Sequence, residues 1–448
     1  MAHTPLICRH LADLASEIAN RPLPPRIEAE ARLCFLDFLA SVLTAPLDGF
    51  ADEAAIMFGT GAATLLHDGR PISATGATYL HGFYATLEDI DDAHALASGM
   101  HVSATVLPAA LALTQCKPPT QACFLRAIVA GYEVAGRLAR SMDGGMRAKG
   151  FHSTGVIGPF AACVASGLLL GLDRDQLANA LGIAASAAGG LFAFLPTGAG
   201  VRHTHAANAG VAGLLAAIAA GKGVTGPATA FEGPDGLVEP YAGRIDLDFV
   251  YAAPPWESGS YEILNVYHKR FNACGHAIPA ITLILEMRDE ILPALDRIVS
   301  VEIGGYRASA ALTNFPALNV GKAKFSLPTI FALAVLYGDV SGEEMSEPVL
   351  ARREVAALAA KVGVSEDKSF SEAFPSLRSG RLTITLSDGR VLKGTTTKPI
   401  GMPANRLSYE AIARKFAAVA QSRLGTGRAD QMLRSLETLG DSEAPFEI

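Results

Sequence analysis

Acidic and imidazole side chains crowd into one short stretch of this 448-residue chain. Residues 88–101 contain four acids and two histidines, and the segments on either side are rich in alanine, leucine and glycine. The six residues are Glu88, Asp89, Asp91, Asp92, His94 and His101. Acids are rarely buried unless they are paired. The cluster predicts a functional site, although the first turn of a solvated helix also collects acids.

Further ionisable residues lie in polar breaks between apolar segments. The loops 144–154 and 196–205 each precede an apolar run, and a third polar segment covers 268–276. Together they contribute His152, Arg202, His203, His205, His268, Lys269, Arg270 and His276. A single histidine is more often structural than catalytic. Several histidines in such breaks favour a shared polar site.

Two kinds of chemistry fit these residues poorly. His203 and His205 could ligate a metal, but the chain contains no HExxH motif and no CxxC pair. Cys274 lies two residues before His276 and could act as a thiolate. A small buried residue at a turn is the simpler interpretation of Cys274. We therefore predict neither a metal nor another cofactor.

General acid–base catalysis uses the residues as they stand. The cations are Arg202, Lys269 and Arg270, and the imidazoles that titrate near neutrality are His101, His152 and His276. Arginine binds carboxylates through two parallel hydrogen bonds. Cations also stabilise the charge that forms when a proton next to a carboxylate is removed. This set suits a small di- or tricarboxylate substrate.

Composition excludes several other classes of protein. Net charge is −7 and no basic run occurs, so nucleic acid is not an expected partner. Charged residues make up 18% of the chain, which favours a large core and an oligomer. The N-terminal segment reads as an amphipathic helix and not as a signal peptide. The most apolar runs are short or rich in alanine and glycine, so we expect a cytoplasmic protein without a membrane span.

The pattern of the chain changes near Glu262. Earlier segments have helical periodicity, with predicted helices that include 5–20, 26–45, 121–142 and 177–191. Residues 297–303 alternate as a strand does, and 381–386 and 391–396 flank an Asp-Gly hairpin turn. Helices are also predicted at 326–337, 351–362, 408–424 and 429–439. We predict a mainly α fold, with a helical domain at 1–268 and 399–448 and an α+β domain at 269–398.

Five stretches resemble the MmgE/PrpD family nearly end to end. They are residues 88–113, 150–172, 201–217, 268–276 and 323–334, and jointly they are specific. The family includes 2-methylcitrate dehydratase, cis-aconitate decarboxylase and iminodisuccinate epimerase. The resemblance implies proton-transfer chemistry on a small polycarboxylate without an organic cofactor. It also implies a helical domain built from both chain ends, an inserted α+β domain and a homodimer.

The resemblance assigns family site positions to Asp89, His101, His152 and Lys269, and places Arg202 where decarboxylase-like members have lysine. We expect Lys269 and His101 to transfer protons and His152 to orient or relay. Asp89 would hold a histidine tautomer or a cation. Substrate-binding residues would be Arg202, Arg270, His205, His276 and Asp92.

Several positions depart from the decarboxylase pattern. Ala93 replaces a threonine, Val102 a proline and Thr329 a tyrosine, and the step from Asp92 to His101 is two residues longer. With the chain length, these changes favour an epimerase of an iminodisuccinate-like substrate. A lyase of the dehydratase or decarboxylase type is the alternative. A non-catalytic polycarboxylate-binding dimer is the alternative from another class.

Overall fold

The computed structural model describes residues 6–440 except 98, 143, 318 and 341, together with 442 and 444–446. The described residues form two compact units. The first is drawn from 1–192, 201–266 and 408–448, and the second from 193–200 and 267–407. The domain boundaries that the sequence predicts, at 268/269 and 398/399, remain predictions.

Helices dominate the first unit. Its helices before the second unit are α1 (Ile7–Ala19), α2 (Pro25–Thr44), α3 (Gly49–Phe58), α4 (Ala74–Leu87), α5 (Ser103–Cys116), α6 (Gln121–Ser141), α7 (Gly145–Ala148), α8 (Ser153–Leu170), α9 (Arg174–Ala185), α10 (Arg202–Gly221), α11 (Val238–Tyr241), α12 (Leu247–Val250) and α13 (Pro255–Ser258). Short strands are β1 (Ala63–Thr64), β2 (Pro71–Ile72), β3 (Ala93–His94) and β4 (Val266–Tyr267), and the chain passes to the second unit within β4.

The second unit combines helices with a sheet. Its helices are α14 (Ile278–Glu286), α15 (Arg288–Ile291), α16 (Arg307–Ala310), α17 (Val320–Ala323), α18 (Leu327–Tyr337), α19 (Glu347–Leu350), α20 (Arg353–Ala359) and α21 (Lys368–Ala373). Its strands are β5 (Ile298–Gly305), β6 (Val362–Glu366), β7 (Gly380–Leu386) and β8 (Val391–Thr396). The chain then returns to the first unit with α22 (Tyr409–Leu424) and α23 (Thr426–Glu437).

The sheet of the second unit has the strand order β6-β5-β7-β8. β5 pairs in parallel with β6, whereas β5/β7 and β7/β8 are antiparallel. The alternating residues Leu382, Ile384 and Leu386 of β7 are buried in one core with apolar side chains of α14 and α18. This explains the period-two pattern of that stretch, because one face of the strand must be apolar.

Two local predictions differ from the structure. The helix predicted at 177–191 spans Arg174–Ala185, and two glycines at 189 and 190 follow it. Glycine lowers helix propensity, so the helix ends before them. The helix predicted at 351–362 ends at Ala359, and the missed strand β6 begins at Val362. β6 depends on pairing with β5, about 60 residues earlier, which a local pattern does not reveal. The predicted fold class, mainly α with a smaller α+β part, is confirmed.

Among the described residues, two helices, α8 and α10, are long and apolar enough to cross a membrane by length and composition. In α8, 83% of the residues are buried inside the protein, and in an 18-residue apolar window of α10 the share is 56%. Burial inside the protein accounts for the all-round apolar character of α8. The absence of a membrane span stays a prediction.

Candidate active site

Three helices of the first unit begin at predicted site residues. His101 lies just before α5, and His152 is the residue that precedes the first turn of α8. Arg202 and His205 belong to the first turn of α10. The first N–H groups of a helix are free of helical partners and carry partial positive charge. The helix starts therefore offer an environment that favours anions.

Glycines allow these helices to pack closely. A side chain at Gly158 of α8 would lie 2.6 Å from Thr105 of α5 and 2.8 Å from Ala209 of α10. A side chain at Gly213 of α10 would lie 2.5 Å from the backbone nitrogen of Cys163 in α8. These distances are too short for a Cβ atom, so the small residues set the spacing of α5, α8 and α10.

A buried carboxylate orients His101. The Oδ2 atom of Asp91 lies 2.7 Å from Nδ1 of His101, and Asp91 is fully buried. The backbone N–H of His101 donates to Oγ1 of Thr154 at 3.1 Å. A carboxylate at Nδ1 favours the tautomer that carries its proton there, which makes Nε2 the basic nitrogen. Asp91 and His101 therefore have the arrangement of an acid–base dyad.

Asp89 pairs with the cation of α10. Its Oδ2 atom lies 3.3 Å from a terminal nitrogen of Arg202, and the other terminal nitrogen donates to the Thr86 carbonyl at 2.9 Å. Asp89 has a φ of 59°, in the left-handed region that non-glycine residues rarely adopt. Such strained residues cluster at functional sites. Of the two roles expected for Asp89, the geometry favours holding a cation.

His152 and His205 form an imidazole pair. Their Nδ1 atoms are 2.9 Å apart, so one nitrogen donates and the other accepts. The ring centroids of His101 and His152 are 6.2 Å apart. Burial first, and then His101, His205 and Arg202, hold the pKa of His152 well below its usual value. Burial and Arg202 also lower the pKa of His205. Both rings are therefore neutral at pH 7.

Asp92 has a different set of contacts from its neighbours. Its Oδ1 accepts the backbone N–H of Ser103, the first residue of α5, at 2.9 Å. Its Oδ2 accepts the hydroxyl of Tyr132 at 2.7 Å. An anion at this position stabilises the start of α5. The geometry favours this structural role over the substrate contact that the sequence predicted.

The remaining predicted residues belong to the second unit. Lys269 is buried, with 1% exposure. Arg270 is exposed, and its guanidinium lies 5.3 Å from the ring centroid of Phe271. Nδ1 of His276 lies 2.9 Å from the hydroxyl of Tyr306. The structure thus brings together Asp89, His101, His152, Arg202 and His205 in one unit, and Lys269, Arg270 and His276 lie in the other.

The sequence did not single out Asp91 as a site residue. It lies in the acid-rich stretch, but its partner His101 is ten residues further along the chain, a separation that no local periodicity links. Ligand atoms of Asp89, Asp91 and His101 lie within 4.8 Å of one another, so a metal ion could be held there. Arg202 already brings a positive charge to Asp89. The prediction of no metal stays a prediction.

Comparison with known proteins gives matches to two family models. The MmgE/PrpD N-terminal domain matches residues 9–250, and the MmgE/PrpD C-terminal domain matches residues 271–439. A cis-aconitate decarboxylase of Aspergillus terreus is 25% identical over 472 residues, covering 97% of this chain and 94% of that protein. A human cis-aconitate decarboxylase is 26% identical, covering 82% of this chain and 77% of that protein.

A third relative is a cis-aconitate decarboxylase-like protein of Aspergillus oryzae. It is 30% identical over 221 residues, which cover 46% of this chain and 46% of that protein. The match to that protein thus spans about half its length. The family models together cover most of the chain and agree with the stretches that suggested the resemblance. The chain is an enzyme of the MmgE/PrpD family.

Proposed function

We propose that this enzyme is a carbon–carbon lyase that releases CO2 from a small unsaturated polycarboxylate of the cis-aconitate type. The observation that carries the proposal is the buried pair of Asp91 and His101, beside His152 and Arg202. The names of the full-length relatives support decarboxylation over the epimerisation that the sequence favoured. We propose that no organic cofactor takes part.

The proposed reaction needs a site that holds carboxylates and adds one proton. The carboxylate on the allylic carbon leaves as CO2, and the electrons of the broken C–C bond form a new double bond to that carbon. The electrons of the original double bond move to the carbon that carries a second carboxylate, which stabilises the negative charge. The resulting carbanion then takes a proton from the enzyme. Each turnover therefore consumes one proton and releases one CO2, and the product has one carboxylate fewer.

His101 is the proposed proton donor of the first unit. In this role His101 is the imidazolium: its Nδ1–H donates to Asp91, and its Nε2–H protonates the carbanion. The neutral ring that results takes a proton from solvent before the next turnover. Arg202 is proposed to bind a substrate carboxylate, since guanidinium groups match carboxylates in geometry and charge. The neutral pair of His152 and His205 would orient the substrate by hydrogen bonds without adding charge. The roles predicted for Lys269, Arg270 and His276 are part of the proposal, as is the homodimer.

The charges of the first-unit cluster limit what it can do alone. Asp89 and Asp91 bring two negative charges, Arg202 and the protonated His101 of the proposal bring two positive charges, and His152 is neutral at pH 7. This balance leaves no net positive charge for a substrate with several carboxylates. The proposal therefore needs further cations, and Lys269 and Arg270 are the ones that the sequence predicts. Ala93 and Arg202 depart from the decarboxylase pattern, so we expect the preferred substrate to differ in detail from cis-aconitate.

Proton NMR in D2O with the purified protein tests the proposal. The panel is cis-aconitate, citrate, 2-methylcitrate and the stereoisomers of iminodisuccinate, with Lys269→Ala as the control variant. New terminal vinyl signals together with CO2 release support the lyase. Loss of an α-proton signal with an unchanged carbon skeleton would instead mean the epimerase of the original prediction. Silence across the panel would overturn both and favour a non-catalytic binding protein.

A further inference from the structure

A cation from the C-terminal helix α22 lies against the loop that holds the two candidate acids. Nζ of Lys415 donates to the carbonyl oxygen of Ile90 at 2.5 Å and to Oδ1 of Asp37 at 2.7 Å. Asp37 belongs to α2 and is fully buried, and the Lys415 side chain is 15% exposed. Three segments that are distant in sequence therefore meet at one ammonium group.

The position of Ile90 gives this contact its significance. Ile90 lies between Asp89, which pairs with Arg202, and Asp91, which pairs with His101. Its carbonyl belongs to the peptide bond that leads directly into Asp91. Because a peptide bond is planar, holding its oxygen fixes the direction in which the next residue leaves the loop. Lys415 therefore restrains the backbone from which the Asp91 carboxylate projects.

The loop needs such a restraint. Asp89 has a φ of 59°, in the left-handed region that residues other than glycine seldom adopt. Residues in such conformations persist only when the surrounding structure holds them. The ion pair with Asp37 orients the ammonium and compensates the charge of a carboxylate that is out of water. The pair thus supplies a fixed donor beside a strained loop.

We propose that Lys415, held by Asp37, is a positioning residue that fixes Asp89 and Asp91 and, through Asp91, the imidazole of His101. This inference rests on the proposed function for its kinetic consequence, but its structural consequence does not depend on any substrate. Lys415 donates to the Asp37 carboxylate and the Ile90 carbonyl, so it acts through the loop backbone.

The kinetic test compares three variants on the substrate that the wild-type enzyme turns over. Lys415→Met removes the donor and should lower kcat roughly 10- to 100-fold, since small misplacements of reacting groups have effects of this size. KM should change much less, because Arg202 is also held by the Thr86 carbonyl, which does not depend on Lys415. Lys415→Arg keeps a cation and should recover part of kcat. Arg414→Met, which removes an exposed cation from the same helix, should leave kcat unchanged.

The second readout needs no substrate. Ring nitrogen-15 spectra of histidine-labelled protein report the tautomer and hydrogen bonding of each imidazole, with the His101 signals assigned by the loss they show in His101→Gln. Lys415→Met should move the His101 signals, whereas Arg414→Met should not. If wild type is inactive on every substrate but these signals move, the proposed function fails and the positioning role stands.

The proposal is overturned if a folded Lys415→Met variant has wild-type kcat and wild-type His101 signals. Circular dichroism establishes whether the variant folds. Should it unfold, the decision passes to Lys415→Arg, whose guanidinium cannot meet Ile90 and Asp37 in the same geometry. A tenfold lower kcat with moved His101 signals then supports the proposal, and wild-type values of both overturn it.

Discussion

Two groups of buried histidines in the first unit have opposite kinds of partner. In one group, Nε2 of His67 lies 3.0 Å from the Ala45 carbonyl, and Nε2 of His81 accepts the Leu66 N–H at 3.1 Å. In the other, His101 contacts the Asp91 carboxylate and His152 contacts the imidazole of His205. His67 and His81 contact backbone groups. His101, His152 and His205 contact side chains that can themselves gain or lose a proton. Burial alone therefore does not identify a catalytic histidine, and we use an ionisable partner as the criterion that the following predictions test.

Of the predictions that test this difference between histidines, the one with the largest expected effect concerns the turnover of His101→Gln. His101→Gln should lower kcat by roughly 10²- to 10⁴-fold, the usual contribution of general acid–base catalysis. His81→Gln, with an amide oxygen that can still accept the Leu66 N–H, should leave kcat within about twofold, because a backbone-bound ring takes no part in catalysis. Both variants are assayed by CO2 release on the substrate that wild type consumes. Equal kcat values for His101→Gln and wild type would show that the ionisable cluster is not the catalytic one.

The adjacent carboxylates of Asp91 and Asp92 are expected to differ in the same way, one affecting turnover and the other stability. Asp91→Asn should lower kcat roughly 10- to 100-fold, because an amide no longer fixes the Nδ1–H tautomer of His101. Asp92→Asn should mainly lower the free energy of unfolding, by about 1–3 kcal/mol, since the buried Ser103 N–H and Tyr132 hydroxyl lose part of their acceptor.

Urea unfolding and kcat measured on both aspartate variants separate these effects. Asp89 lies in the same loop but pairs with Arg202, so it belongs to neither of the two contacts compared here. A larger loss of kcat in Asp92→Asn than in Asp91→Asn would reverse the assignment of the two carboxylates.

Much of the architecture follows from local patterns in the sequence. Alternation and the Asp-Gly turn predict β7 and β8, observed at Gly380–Leu386 and Val391–Thr396. Helical periodicity predicts α2 and α22 to within a residue or so at each end. The strand β6 is not predicted because its partner β5 is distant in sequence. Local periodicity reveals helices and strands that form from neighbouring residues. It does not reveal a strand such as β6, which forms by pairing with a distant segment.

The candidate site shows the same division. Residue types and polar breaks predict that His101, His152, Arg202 and His205 belong to the site. In the structure these residues lie close together. The choice between Asp89 and Asp91 as the partner of His101 depends on one left-handed residue in the loop. No periodic pattern encodes that turn, so the sequence assigns the acids as a group but not one by one.

The smallest expected effect concerns stability against pH. Burial and then His67 lower the pKa of His81 to about 3, whereas an unfolded histidine has a pKa near 6.5. Between these two values the unfolded chain binds more protons than the folded one, so His81 makes the protein less stable as pH falls below about 6.5. From pH 7 to pH 5 this single group should lower the free energy of unfolding by about 2 kcal/mol.

His81→Gln removes this titration and keeps an acceptor for the Leu66 N–H. Urea unfolding at pH 7 and pH 5 should therefore show a loss in wild type that is about 2 kcal/mol larger than in the variant. His152→Gln should also flatten the dependence, because burial and nearby charges lower the pKa of His152 as well. Only the second variant should lose activity. If both variants keep the wild-type pH dependence, these rings are not neutral in the folded protein, and the contrast between backbone-bound and linked histidines loses its electrostatic basis.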